Sequence, residues 1–214
     1  MHNFKELVKE YVGIELNSGQ IEQFSTLASF LLETNKSINL TAIRDIEGVC
    51  MKHFLDSLTL LKSIPDNAKN LVDIGSGAGF PGLPIAIARP DIKITMVESI
   101  GKKVNFIEKC IELLNLSNAE VINERAEKLS QTKKFNEKFD VATARAVTAL
   151  PELINLCLPY IHENGVIIAM KSENKEELEM SERVLVGEKL EIKEIIPISI
   201  PELNPRQLIV IGRI

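Results

Sequence analysis

LVDIGSGAGFPGLP, residues 71–84, decides how this chain folds. An apolar run ends at Ile74, and Gly75, Gly77 and Gly79 follow before a helix-like stretch begins. Glycines permit backbone angles that a Cβ forbids and let a ligand approach the main chain. In an open parallel sheet such a turn lies at the strand C-termini, where ligands bind. A phosphate-binding P-loop is excluded because the Gly-Lys-Ser/Thr ending is missing. Gly77-x-Gly79-x-x-Gly82 formally matches a nicotinamide fingerprint, but the first glycine after the strand is Gly75, so the match is out of phase. Asp73, inside the strand, suits the cationic aminoacyl end of S-adenosylmethionine and is poorly placed for a pyrophosphate.

Outward from this loop the chain alternates. Strands are predicted near 70–74, 93–98, 119–123, 139–144 and 164–170, with helices near 82–89, 102–115 and 148–158. That rhythm implies a mostly parallel sheet wound on both faces. Strands near 190–197 and 207–213 have only a loop between them and should pair antiparallel. Five parallel strands plus a terminal antiparallel hairpin is the class I, Rossmann-like S-adenosylmethionine-binding layout. Upstream, residues 1–66 read as a helical extension to a catalytic domain at 67–214. Phe4, Leu7, Val8, Tyr11 and Val12 share one helical face. Asn17 and Gln20 form a capping box before a second helix with Ile21, Phe24, Leu27, Ala28 and Leu31 inward. Asp45 caps a third helix expected to run to about Leu61, and Pro65-Asp66-Asn67 breaks the pattern. The charged stretch 173–182 reads as a solvated helix.

Three further positions carry chemistry. Glu98 ends the second strand, about 20 residues after the glycines, where a carboxylate accepts ribose hydroxyls in nicotinamide and S-adenosylmethionine sites alike. Ala126 and Glu127 follow the third strand beside the expected adenine. Either the Glu127 carboxylate or the Ala126 amide could serve the base, and Glu127 could equally be a helix-starting acid. After the fourth strand, DVATARAV (140–147) lacks both the Asn/Asp-Pro-Pro-aromatic motif for an exocyclic amine and a Pro-Cys nucleophile. Arg145 stands there instead, suited to a phosphate, a guanine edge or a structural salt bridge. Guanine N7 has a free lone pair, so it needs alignment and water exclusion rather than a general base.

Composition narrows the class. The 214 residues are 45% hydrophobic and 26% charged, as in a soluble globular protein. The N-terminus lacks a signal-peptide layout and no apolar run approaches a membrane span, so a cytoplasmic chain with no membrane role is expected. Cys50, Cys110 and Cys157 and three scattered histidines suggest neither disulfides nor a metal. A net charge of −5 excludes a generic polyanion binder, so any RNA role needs a local basic face.

The chain resembles the glucose-inhibited division protein B family (RsmG), bacterial 16S ribosomal RNA guanine-N(7)-methyltransferases. The motifs are NKSINLTAI (35–43), HFLDSL (53–58), DIGSGAGFPGLP (73–84), VESIGKKVNFIE (97–108), ERAEKL (124–129), TARAV (143–147) and PRQLIVIGR (205–213). Several are weak alone; their joint order is specific. The resemblance implies S-adenosyl-L-methionine as cofactor and small-subunit ribosomal RNA as partner. It places Gly75, Phe80, Ala126, Glu127 and Arg145 at the cofactor and turns Arg125 and Arg206 towards RNA, making Arg145 and Arg125 the candidate catalytic residues. Thr34, Glu98 and Gly212-Arg213 depart from commoner residues, an aromatic, Asp and a Lys pattern respectively.

The expected basic face comprises Lys36, Arg44, Lys52, His53, Lys102, Lys103, Arg125, Arg145, Lys171 and Arg206, with Lys36, Arg44, His53, Lys102, Lys103 and Arg206 as candidate RNA contacts. A monomer is expected. Three rivals remain: a nicotinamide oxidoreductase, which would need a proton donor that the chain after 171 does not supply as His or Tyr; a silent RNA-binding assembly factor; and a methyltransferase for a small molecule or protein.

Overall fold

The computed structural model describes residues 3–145, 148–201 and 203–214. Ala146 and Val147 of the TARAV motif lie outside the described residues.

The N-terminal segment begins with α1 (Phe4–Val12), which buries Phe4, Val8 and Val12. α2 (Ser18–Asn35) carries the predicted capping box: Gln20 N–H donates to the Asn17 side chain and Asn17 N–H to the Gln20 side chain, both at 2.9 Å. The Gln20 amide also donates to the carbonyls of Ile87 and Ala88, so this cap pins the segment to the rest of the protein. Asp45 caps α3 (Ile46–Val49) by accepting from Gly48 N–H at 2.7 Å. The single helix predicted to Leu61 is instead composite: a π-helical turn (Cys50–Leu55), α4 (Asp56–Leu58) and a 3₁₀ turn (Thr59–Lys62). Apolar spacing reveals a buried face but does not distinguish i→i+4 from i→i+5 bonding.

The α/β region runs β1 (Asn70–Ile74), α5 (Gly82–Ala88), β2 (Lys93–Glu98), α6 (Gly101–Leu113), β3 (Ala119–Asn123), a short α7 (Ala126–Leu129), β4 (Phe139–Arg145), α8 (Leu150–Cys157) and β5 (Ile161–Ser172). α9 (Lys175–Gly187), β6 (Leu190–Ile198) and β7 (Arg206–Arg213) complete it. The sheet order is β3-β2-β1-β4-β5-β7-β6. β1 to β5 are parallel; β7 enters antiparallel between β5 and β6, as the predicted hairpin requires. The order reverses between β1 and β4, so the loops after these strands splay apart and open a crevice.

Alternation along the strands feeds two cores. Leu71, Ile94, Val141 and Ile168 face one side, where Phe4, Phe24 and Phe54 pack with ring centroids 5.1 to 6.0 Å apart. Val72, Val97, Ala142 and Ile167 face the other, under α8. The N-terminal helices thus share a core with one sheet face. Cys50, Cys110 and Cys157 are buried and none is disulfide-bonded. Among the described residues no cluster of three metal-ligating side chains exists, and no helix is long and apolar enough to cross a membrane.

Candidate functional site

The glycine loop is tied to β2 because Gly75 N–H and Ser76 N–H both donate to the Val97 carbonyl, at 2.8 and 3.1 Å. Gly77 has φ +61°, and a Cβ there would meet nothing nearer than 4.0 Å, so the main chain stays open to a ligand. Gly79 has φ +84° and faces the opposite constraint: a Cβ would lie 2.4 Å from Leu83.

Asp73 has no exposed surface. Its Oδ2 accepts from Gly82 N–H at 3.0 Å, while Oδ1 has no hydrogen-bond partner among the described residues. Burial pushes the carboxyl up to about 6, against the lowering pull of the Gly82 amide, the Ser76 hydroxyl and Arg145. A buried carboxylate oxygen without a donor costs about 1–3 kcal/mol, which a cationic ligand group would offset. Glu98 reaches back across the loop: Oε2 accepts from Gly77 N–H and Oε1 from Ile100 N–H, each at 2.9 Å. Its side chain therefore orders the loop, and each oxygen retains a second lone pair for a hydroxyl.

Gly75, Glu98, Arg125, Ala126 and Glu127 line one cavity of about 160 Å³ together with Leu156 of α8. Tyr160 hydroxyl donates to the Ala126 carbonyl at 2.7 Å and fixes this wall from the core. The larger cavity of about 580 Å³ lies elsewhere, between α2 and the end of α6; its Gln20 and Gln23 amides are spent on backbone carbonyls.

A second group adjoins the loop. His53 stacks on Phe80 with centroids 4.6 Å apart and planes 2° apart, and the Arg145 guanidinium lies 5.4 Å from the same ring centre. Arg145 Nη1 donates to Asp56 Oδ2 at 3.0 Å, and Nη2 lies 3.2 Å from His53 Nδ1. Arginine is only a donor, so Nδ1 accepts and the ring proton sits on Nε2, which donates to Thr41 Oγ1 at 2.7 Å. Arg206 Nε lies 3.1 Å from Asp56 Oδ1, an ion-pair contact without hydrogen-bond alignment. Burial draws the Arg145 guanidinium down and Asp56 counters it. Thr41, His53, Asp56, Phe80, Arg145 and Arg206 come from five of the sequence motifs, which here become one network.

Two expectations about charge are corrected. His53 does not join a basic face as a cation: burial first, then Arg145, lowers its pKa to about 4, and both ring nitrogens are engaged. Lys171 is also internal. Its side chain is 14% exposed, pairs with Glu177 and donates to the Thr148 carbonyl at 2.8 Å. Of the expected cofactor contacts, Gly75, Glu98, Ala126 and Glu127 line the crevice cavity, whereas Asp73, Gly77, Gly79, Phe80 and Arg145 do not; the Phe80 ring serves the arginine cluster. Lys36 pairs with Glu33, and Arg44 donates to the carbonyls of its own loop. Lys52, Asp56, Asn204 and Arg206 line a separate cavity of about 210 Å³. Lys102 and Lys103 open α6 and form no ion pair among the described residues.

Asp56 escaped sequence reading as a site residue. Its signal was an acid inside the apolar run HFLDSL, and only the fold shows that it meets two arginines. Asn35, within NKSINLTAI, is structural: its amide donates to the carbonyls of Thr41 and Ile43 and accepts from Leu40 and Thr41 N–H, closing the loop that presents Thr41.

The family model described as rRNA small subunit methyltransferase G matches residues 20–208. The chain is 40% identical over 203 residues to Ribosomal RNA small subunit methyltransferase G of Roseiflexus sp. (strain RS-1), covering 94% of this chain and 87% of that one. It is 42% identical over 208 residues to the protein of the same name from Lachnoclostridium phytofermentans, covering 95% and 85%. The precorrin-6y C5,15-methyltransferase of Geobacter metallireducens has a similar fold, with a TM-score of 0.57 at 16% identity, covering 83% of this chain and 93% of that one.

Proposed function

The chain belongs to the rRNA small subunit methyltransferase G family, and from that premise we propose how its crevice works. The enzyme transfers the methyl group of S-adenosylmethionine to ring nitrogen 7 of a guanine in the decoding region of bacterial 16S ribosomal RNA. The observation that carries the site assignment is Asp73 Oδ1, a buried carboxylate oxygen with no hydrogen-bond partner among the described residues, beside an open glycine loop. The ammonium group of a cofactor would satisfy that oxygen; a pyrophosphate would be repelled by it.

When bound, S-adenosylmethionine supplies a methyl group on a positively charged sulfur, a good leaving group for attack by a free lone pair. Asp73 holds the aminoacyl end, and Glu98 accepts the ribose hydroxyls on its remaining lone pairs. The wall of Ala126 and Glu127, with Leu156 opposite, receives the adenine. Gly77 lets the main chain approach the cofactor, and Gly79 lets the loop pack against Leu83. Arg206 binds the RNA near the target base and Arg145, fixed beside it, shapes that side of the site, with Arg125, Lys52, Lys102 and Lys103 guiding the RNA backbone; Lys36 and Arg44 extend that surface along the N-terminal segment. Catalysis is alignment and water exclusion. No proton leaves the guanine in this step, so no general base is needed. Residues 1–66 act as the extension that supplies Lys52, His53 and Asp56 to the catalytic domain. The protein works as a cytoplasmic monomer without a metal.

The test is transfer of labelled methyl from S-adenosylmethionine to unmodified small-subunit RNA and to intact small subunits, followed by mapping of the labelled base. Label on guanine N7 is expected. Cofactor binding without label on either substrate would turn the reading towards a silent assembly factor.

A further inference from the structure

Asp56 is placed where three segments meet. It opens α4, Arg145 ends β4 and Arg206 opens β7. Its side chain is 2% exposed, yet it faces two guanidiniums, with Arg145 Nη1 at 3.0 Å and Arg206 Nε at 3.1 Å. The two arginines differ in setting. Arg145 is held from other sides by His53 and Phe80, whereas Arg206 is one-third exposed, meets Asp56 through Nε and lines the open cavity with Lys52 and Asn204. One carboxylate between two guanidiniums leaves a net charge of plus one.

We propose that Asp56 is a positioning residue for methyl transfer. It fixes Arg145 and Arg206 in one pose and cancels one of their two charges beside the acceptor base. The inference rests on the guanine-N7 reading above. In that reaction the N7–CH₃ bond forms, the C–S bond breaks and its electron pair goes to sulfur. The guanine becomes a cation without losing a proton. Two uncompensated guanidiniums beside it would attract RNA phosphate but oppose the charge that develops in the transition state. Asp56 separates the two demands: Arg206 keeps its terminal nitrogens for RNA while the cluster stays only weakly positive. A buried carboxylate shared by two arginines also explains why HFLDSL contains an acid in an otherwise apolar face.

Asp56→Asn keeps the size and one acceptor oxygen but removes the charge. The expected result is a kcat lowered by more than about tenfold, with the KM for RNA unchanged or lower and cofactor Kd within about twofold. A mere structural pin would behave otherwise: the denaturation midpoint would fall and cofactor Kd and RNA KM would rise, with kcat of the folded fraction preserved. Asp56→Glu keeps the charge and displaces both guanidiniums, so it stands in if the Asn variant does not fold. It should lose more than about tenfold in kcat with cofactor Kd within about twofold. A kcat within about twofold of wild type in the folded variant overturns the proposal. The wild-type reaction separates the two levels of inference. No label on guanine in wild type sinks the functional reading and this inference with it; label in wild type with undiminished kcat in the variants sinks the inference alone.

Discussion

His53 lies flat on Phe80, with centroids 4.6 Å apart and planes 2° apart, and this stack floors the Arg145 guanidinium. Phe80 is 4% exposed, so Phe80→Ala should cost about 3–5 kcal/mol by chemical denaturation. His53→Ala should cost less in the Phe80→Ala background than in the native one, with a coupling of about 0.5–1.5 kcal/mol. A coupling indistinguishable from zero would mean that the rings are neighbours without supporting each other.

Cofactor binding should depend on pH through Asp73. Its carboxyl is raised from 3.8 to about 6 in the ligand-free fold. The folded state therefore binds more protons than the unfolded chain in that window, and this group's contribution to stability is lost as pH rises through about 6. A bound ammonium reverses the preference, because it needs the ionised form. Affinity should be full above the folded pKa and weaken about tenfold for each pH unit below it. Asp73→Asn should bind the cofactor roughly 10–100-fold more weakly and without that pH dependence. Calorimetric titration of wild type and variant decides it, and a flat wild-type profile from about pH 5 to about pH 8 would remove Asp73 from the site.

Arg145→Ala should lose about 100-fold or more in methyl transfer, the scale of a small misplacement of the reacting groups. It also uncovers Asp56, whose carboxylate is buried. Removing one partner of a buried pair costs about 3–5 kcal/mol, and Arg206, still facing Asp56, should hold the loss near the lower figure. Rates must therefore be normalised to the folded fraction measured by denaturation. Wild-type turnover from folded Arg145→Ala would exclude a role for this guanidinium in transfer.

What the sequence made legible was local. β1 to β3 begin and end where the apolar runs do, and the Asn17–Gln20 capping box forms as its spacing implies. The crevice loop was legible because three glycines and an acid leave few alternatives. The arginine cluster was not, since Asp56 and Arg145 stand 89 positions apart and no local pattern says which charges share a site. Spacing also does not report burial of a charge. His53 and Lys171 read as cations of a basic face, yet one is neutralised by burial and the other is paired with Glu177. The π-helical turn was hidden for a related reason: the side chains that signal a helix signal its face, not its hydrogen-bond register.

Lys102 and Lys103 provide the test of the basic surface that depends least on folding. They follow Glu98 at the start of α6, on the strand-end side of the sheet, where Arg125 also lies after β3. Neither forms an ion pair among the described residues, so Lys102→Ala with Lys103→Ala should leave the denaturation midpoint and cofactor Kd unchanged. Each lysine that neutralises an RNA phosphate releases a counterion and adds about 0.7–0.9 to the slope of log affinity against log salt. The double variant should therefore lower that slope by about 1 to 2 and weaken RNA binding most at low salt. An unchanged slope would make both lysines solvated surface and confine RNA guidance to the arginine side of the crevice. That outcome would also sharpen the role of Lys52 and Arg206, the two cations that share a cavity with Asp56.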